Sequence, residues 1–189
     1  MISKTRAWQI GFATNVLREG GIIAHATEAV WGLACDPNNA LAVDTLLRIK
    51  KRPIEKGLIL VSGQLEHFYF LLNPLSEILV NRFSTIPTVP TTWLVPDVNE
   101  VIPRYVKGQH KAVALRLSQH TTVSALSASL GRPLISTSAN PTARMPAKNV
   151  FQVNQYFGAL VDYILPSRLG EFSRPSEIRD LVSDQVLRI

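Results

Sequence analysis

Apolar residues in this chain come in short runs, each fenced by glycine, proline or a small polar residue. Ile22-Ile23-Ala24-His25-Ala26, Gly57-Leu58-Ile59-Leu60-Val61, Thr91-Thr92-Trp93-Leu94-Val95, Lys111–Leu117 and Pro133-Leu134-Ile135-Ser136 are the clearest. Such runs are too short to span a bilayer and have the length of buried strands. Segments of helical period lie between them. Trp8, Phe12 and Val16 recur at that spacing, with Ala13 and Leu17 beside them, before Gly20-Gly21 stops the helix. Asn38 or Asn39 can cap a second helix carrying Val43, Leu46, Leu47 and Ile49. That helix must end near Lys50-Lys51-Arg52, because Pro53 restrains the residue before it. Further helices are predicted over 64–82, broken at Pro74, over 120–130 and over 149–157, with strands near 160–165 and 177–189. Thr27–Gly32 reads as a polar turn followed by bulky groups. The alternation of strand and helix predicts an α/β domain, residues 1–189, around a mixed sheet. The loops at 97–110 and 166–176 are expected to be its most mobile parts.

The chain has 189 residues, 46% apolar and 18% charged, which is enough for a continuous core and argues against disorder. A single cysteine, Cys35, excludes a disulfide framework within the chain and a cysteine-rich metal site, and suits a reducing cytoplasm. The basic N-terminus lacks the uninterrupted apolar stretch of a signal peptide, so the protein is expected to be cytoplasmic, with no membrane partner. The net charge of +6 points to a polyanionic partner, a nucleotide or RNA.

Lys50, Arg52 and Lys56 are the densest local cations, with Pro53 and Gly57 restraining the loop that carries them. Cations held in that way can neutralise a triphosphate, although a solvated helix end is the ordinary use of such a cluster. Ser136-Thr137-Ser138-Ala139-Asn140 follows a strand directly, and small hydroxyl side chains let the backbone approach phosphate or carboxylate oxygens. Arg116 shares a strand face with Ala112 and Ala114 and needs an anionic partner, either Glu28, Asp180 or a ligand carboxylate. Ser176 and Arg179 stand in Arg174-Pro175-Ser176-Glu177-Ile178-Arg179-Asp180 around a rigid proline. No Gly-x-Gly-x-x-Gly fingerprint, phosphate-binding Walker loop, nucleophile elbow or metal-ligand histidine spacing is present. His25 reads as a satisfied core residue, and Cys35 has no neighbouring base.

HATEAVWGLACDP, LLRIKKRPIEKGLILV, KAVALRLSQH, GRPLISTSAN and RPSEIRD occur in the order found in YrdC-type proteins, so the chain resembles the YrdC/TsaC family of threonylcarbamoyl-AMP synthases, in its short bacterial form. The resemblance runs from the first strand to the C-terminus. It implies a single-domain, open twisted mixed sheet with flanking helices and a large concave basic cavity. It places Lys50 and Arg52 in a catalytic Lys-x-Arg motif for the nucleotide, with Lys56, Ser138, Asn140, Ser176 and Arg179 as further ATP contacts. Thr27, Arg116 and Ser136 fall to the threonine or threonylcarbamoyl group. One segment departs: where the family usually shows Trp-Pro-Gly-Pro-x-Thr, this chain has Pro87-Thr88-Val89-Pro90-Thr91-Thr92, keeping only Pro90 and Thr92.

The activity so implied joins L-threonine, bicarbonate and ATP into threonylcarbamoyl-AMP and pyrophosphate, the first step of threonylcarbamoyladenosine formation in tRNA. Mg²⁺ is expected with the ATP and no protein metal site. The implied partners are the tRNA threonylcarbamoyl-transferase machinery and tRNA or double-stranded RNA. Two other readings are open on sequence: an RNA-binding module in tRNA or ribosome maturation without catalysis, and a YrdC-like paralogue using another carbamoyl adenylate.

Overall fold

A computed structural model describes residues 6–188. The elements run α1 (Ala7–Arg18), β1 (Ile23–Ala26), β2 (Trp31–Cys35), α2 (Ala40–Lys50), β3 (Ile59–Ser62), α3 (Tyr69–Leu72), α4 (Glu77–Ser84) and β4 (Thr91–Pro96). They continue α5 (Arg104–Lys107), β5 (Ala112–Leu117), α6 (Thr121–Leu130), β6 (Leu134–Ser138), α7 (Val150–Phe157), β7 (Tyr163–Ile164), β8 (Glu177–Asp180) and β9 (Val186–Arg188). Among the described residues no helix is long and apolar enough to cross a membrane.

All nine strands join one sheet in the order β7-β1-β2-β6-β3-β5-β4-β8-β9. The pairs β1/β7, β3/β5 and β4/β8 are parallel and the rest antiparallel, so the sheet is mixed as expected. Strand side chains alternate between faces, and that alternation divides the core in two. Ala24, Ala26, Leu33, Cys35, Leu60, Trp93, Val95, Val113 and Leu115 point to one face, where α2, α3, α4, α5 and α7 pack. Phe68 and Phe83 meet edge to face there, 5.5 Å between centroids, and each fully buried ring contributes roughly 1.5–3 kcal/mol. Ile23, Ala34 and Leu134 point to the other face, beneath α1 and α6. Those two helices cover only part of that face; over β3, β5, β4 and β8 it stays open.

Local chemistry accounts for the element ends. The Asn39 side chain accepts from the Ala42 N–H and caps α2, selecting Asn39 over Asn38. Lys51 takes a left-handed conformation, and the Arg52 N–H returns to the Leu47 carbonyl, which ends the helix before Pro53. Gly57 and Gly108, both at positive φ, let the 52–57 loop press against the turn after α5.

Three expectations are corrected. Helix α1 forms, but its buried stripe is Ile10, Ala13, Thr14 and Leu17, while Trp8 and Phe12 are 63% and 51% exposed. The aromatic residues suggested the wrong face because Phe12 rests edge-on against Tyr163 at the sheet margin rather than in the core. The turn after β1 is confined to residues 27–30, closed by Thr27 on the Val30 carbonyl, and the bulky residues that follow form a full strand, β2, buried throughout, which the sequence reading did not separate from the turn. The 97–110 connection contains α5 and is tied down by Asp97, whose carboxylate accepts from Val101 N, Ile102 N and Lys107 Nζ.

Candidate functional site: a carboxylate-free cleft on the open sheet face

The uncovered face forms a cleft of about 830 Å³. Its floor is the outward register of five strands: Ser136 and Ser138 on β6, Ile59 and Val61 on β3, Ala112, Ala114 and Arg116 on β5, Leu94 on β4, and Ile178 on β8. Thr27, Gly32 and Ser176 complete it. The pairing Ser136↔Ile59↔Ala114 puts three floor residues in one row across the strands. The small side chains of Ala112 and Ala114 leave the depth.

Cations form the rim. Arg52 and Lys56 line it from the loop after α2, Lys107 and Lys111 from either side of the turn before β5, Arg174 from the segment before β8, and Arg188 from β9. Among the described residues no aspartate or glutamate lines the cleft. Lys107 is paired with Asp97 at 2.6 Å. Arg52, Lys56, Lys111, Arg174 and Arg188 have no carboxylate partner among the described residues. Burial and then the Arg188 charge push Arg52 below its usual value. The Arg52 guanidinium donates to the Gly57 carbonyl at 2.7 and 3.1 Å, which fixes its charge at the rim near that of Arg188, and two like charges so held favour an anion between them.

Arg116 donates to Glu28, the partner expected among three candidates. Glu28 also accepts from Ser118 Oγ at 2.6 Å. Burial lowers Arg116 to about 10, so it stays charged at neutral pH. Its Nε has no hydrogen-bond partner. His25 is buried, with Nδ1 3.0 Å from the Ala26 carbonyl and Nε2 3.2 Å from Ser136 Oγ. Burial lowers it to about 4, so it is neutral across the physiological range. Burial pushes the Cys35 thiol up, which makes it a poor nucleophile.

The structure brings Thr27, Arg52, Lys56, Arg116, Ser136, Ser138 and Ser176 to one cleft. Three residues expected there lie elsewhere. Lys50 is only 7% exposed and reaches from the end of α2 to the β6 terminus. Its Nζ donates to the Ser138 carbonyl at 2.6 Å, to the Asn140 carbonyl and to Asn140 Oδ1 at 3.3 Å, and sits 5.8 Å from the Phe157 ring centroid. Asn140 spends its side chain on Ser138 Oγ, Lys50 and the Arg144 carbonyl. Both residues therefore shape the Ser138 loop from behind. Arg179 is the clearest correction. Ser176 and Ile178 occupy the cleft register of β8, so Arg179 falls on the opposite face, paired with Glu177 at 2.7 Å and Asp184 at 2.8 Å.

The sequence reading missed Lys107, Lys111, Arg174 and Arg188 as cleft residues. Only Arg174 had a local signal, its place before Pro175. The others join through pairing between distant segments. The altered 87–92 segment still serves the site: Thr92 Oγ1 lies 2.8 Å from Ser176 Oγ, and the Pro90 carbonyl accepts from Glu177 N.

Comparison with known proteins identifies the family and the fold. The family model Sua5_yciO_yrdC, described as "Telomere recombination", matches residues 15–189. The Threonylcarbamoyl-AMP synthase of Marinobacter nauticus is 45% identical over 180 residues, 95% of each chain. That of Hahella chejuensis is 46% identical over 182 residues, 96% of this chain and 98% of its own. Among solved structures, P. abyssi Sua5 complexed with L-threonine superposes with a TM-score of 0.83 at 26% identity, covering 95% of this chain and 53% of that one. Shared motifs, a shared fold and full-length similarity converge: the chain belongs to the Sua5/YciO/YrdC family.

Proposed function

We propose that this protein is a threonylcarbamoyl-AMP synthase, and the observation that carries the reading is the cleft rim rich in cations and free of carboxylates. The reaction joins two anions. Threonine's amine takes up bicarbonate with loss of water, giving N-carboxy-L-threonine. A carbamate oxygen attacks the α-phosphorus of ATP. The bond from that phosphorus to the bridging oxygen breaks, and pyrophosphate leaves with the electron pair. The carbamate is already ionised, so the step needs no general base. It needs charge neutralisation and alignment, both of which a preorganised cationic cleft supplies.

Arg52 and Lys56, with Lys111, Arg174 and Arg188 across the cleft, offset the polyphosphate charge. The Ser176 hydroxyl, accepting from Thr92 Oγ1, donates to a phosphate oxygen from the floor, while the Ser138 hydroxyl proton is held by Asn140 Oδ1. Lys50 and Asn140 act on the nucleotide by fixing the Ser138 loop, and Arg179 by holding β8 so that Ser176 faces inward. Thr27, Arg116 and Ser136 form the amino-acid end. Mg²⁺, brought with ATP as part of the substrate, would supply further charge neutralisation of the polyphosphate beside Arg52 and Lys56. The apolar floor of Ile59, Val61 and Leu94 excludes water from the carbamate and the labile anhydride. The product then serves the threonylcarbamoyl transfer to tRNA.

Incubation with L-threonine, bicarbonate and MgATP tests this. Pyrophosphate should appear only when all three are present, with threonylcarbamoyl-AMP detected by mass spectrometry. Salt-dependent RNA binding with no ATP consumed would replace this reading with the RNA-binding module. Pyrophosphate release with a different amino acid or carbamoyl donor would replace it with the paralogue.

A further inference from the structure

The geometry points to His25 as a positioning residue that makes the Ser136 hydroxyl an obligate hydrogen-bond acceptor toward the cleft, selecting a small substrate that offers an N–H or O–H donor there. The inference rests on the proposed amino-acid end of the cleft, but its first step is independent of it. His25 Nδ1 lies 3.0 Å from the Ala26 carbonyl oxygen. A carbonyl only accepts, so Nδ1 must carry the proton. Burial holds the ring neutral, so Nε2 is left with a bare lone pair. Among the described residues the hydroxyl within reach of it is Ser136, at 3.2 Å. Ser136 therefore donates its only proton backward into the protein. What it presents to the cleft is lone pairs.

A second observation locates the opening. Gly32 faces Ser138 in the β2/β6 register and lines the cleft. A Cβ placed on Gly32 would come within 2.9 Å of Ser136 Oγ and 3.4 Å of His25 Nε2. The absent side chain is what leaves the Ser136 hydroxyl reachable. The Arg116 charge is close enough to bear on His25. The same end of the cleft thus combines a cation for a carboxylate with an acceptor for a donor group, a pairing that fits an amino acid. In threonine the donor is either the hydroxyl or the nitrogen, and analogues separate them. A site built to receive a donor rejects a ligand lacking one more strongly than it favours extra apolar contact.

The test has a structural arm and a kinetic arm. Nitrogen-15 NMR of the imidazole in the whole protein should show a protonated Nδ1 and an unprotonated Nε2; an Nε2-protonated ring would overturn the proposal whatever the enzyme's activity. In the kinetic arm, His25→Phe should raise the KM for L-threonine about fivefold, the worth of one neutral hydrogen bond, with the KM for ATP unchanged. His25→Gln, which restores an acceptor, should recover most of that loss. In a Ser136→Ala background, His25→Phe should have no further effect on the threonine KM. Additive losses, or equal losses for ATP and threonine, would reduce His25 to a packing residue and refute the proposal. If the His25→Phe penalty vanishes with L-2-aminobutyrate, which lacks the hydroxyl, the donor is the hydroxyl; if it persists, the donor is the nitrogen. Should His25→Phe fail to fold, Gly32→Ala gives the same decision, because covering the hydroxyl must weaken threonine binding and spare ATP; equal binding of threonine by this variant would refute the proposal.

Discussion

Replacing Lys50 with methionine separates two roles for the same residue. A lysine that touches polyphosphate would contribute to ATP affinity and little to stability. The structure instead has Lys50 Nζ donating to the Ser138 and Asn140 carbonyls. Two bonds from a charged donor are worth about 1.5–3 kcal/mol each, roughly 3–6 together. Against this stands the cost of burying the charge. Burial and the neighbouring Arg52 lower Lys50 from 10.5 to about 8, which at about 1.4 kcal/mol per tenfold change in proton affinity is about 3 kcal/mol. Methionine removes the bonds and relieves that cost, so the net loss of stability should be about 0–3 kcal/mol. Urea unfolding followed by tryptophan fluorescence measures it. Lys56→Ala, an exposed rim residue, is the control: its unfolding midpoint should not move, while its KM for ATP rises. Steady-state kinetics of Lys50→Met should show kcat falling, because the Ser138 loop loses its shape. An unchanged kcat with only a raised KM for ATP would refute the clamp and return Lys50 to the polyphosphate.

Other perturbations follow from groups on the page. His25 has a folded value near 4 against an ordinary 6.5, so the unfolded chain binds the extra proton first; stability from this group is complete above pH 6.5 and is lost as pH falls toward 4, about 3 kcal/mol in all. Comparing urea midpoints of wild type and His25→Phe at pH 7 and pH 5 isolates that term. Asp97→Asn leaves Lys107 without its counter-charge beneath the cleft rim and should cost about 2–4 kcal/mol, read as a lowered thermal midpoint. Asn39→Ala removes the cap of α2 and should cost about 1 kcal/mol with no change in KM for either substrate.

Element type was legible wherever a local signal decided it. Glycine, proline and asparagine marked the limits of α2, β3, β4 and α6 to within a residue or two. Strand β2 was not legible, because Trp31-Gly32-Leu33-Ala34-Cys35 has no polar alternation: the strand is buried on both faces, and its neighbours β1 and β6 come from before and after in sequence. The exposed face of α1 misled because aromatic residues dominate a sequence pattern by size, whereas the space beneath α1, over Ile23, Ala34 and Leu134, accepts only Ile10, Ala13 and Leu17. Among site residues, the motifs found the right loops, yet they could not say which side of each loop meets the cleft. Lys50 and Arg52 are two apart at the end of a helix, and only one of them faces the cavity. Arg179 fails for the same reason on a strand, where a shift of one position changes the face.

The open half of the sheet explains why these residue types recur at the site. An uncovered face of ordinary strand residues would be a large apolar patch and an association hazard. This face keeps an apolar floor of Ile59, Val61, Leu94 and Ile178, but its outward register breaks that floor up with small and charged side chains. Alanine at 112 and 114 and serine at 136 and 138 keep it shallow in hydrophobicity, and Arg116, held by Glu28, places a charge where a helix would otherwise have packed. The register that lets the face remain bare without aggregating is therefore the register that equips it for anions. A substitution such as Ala114→Leu on this floor tests both sides of that account at once. It should leave the fold intact, since the position borders open space. It should weaken ATP and threonine together by filling the row shared with Ile59 and Ser136, and it should raise the tendency to self-associate, measured by light scattering. Unchanged substrate affinity in a folded, monodisperse variant would show that this row is not the floor on which the substrates lie.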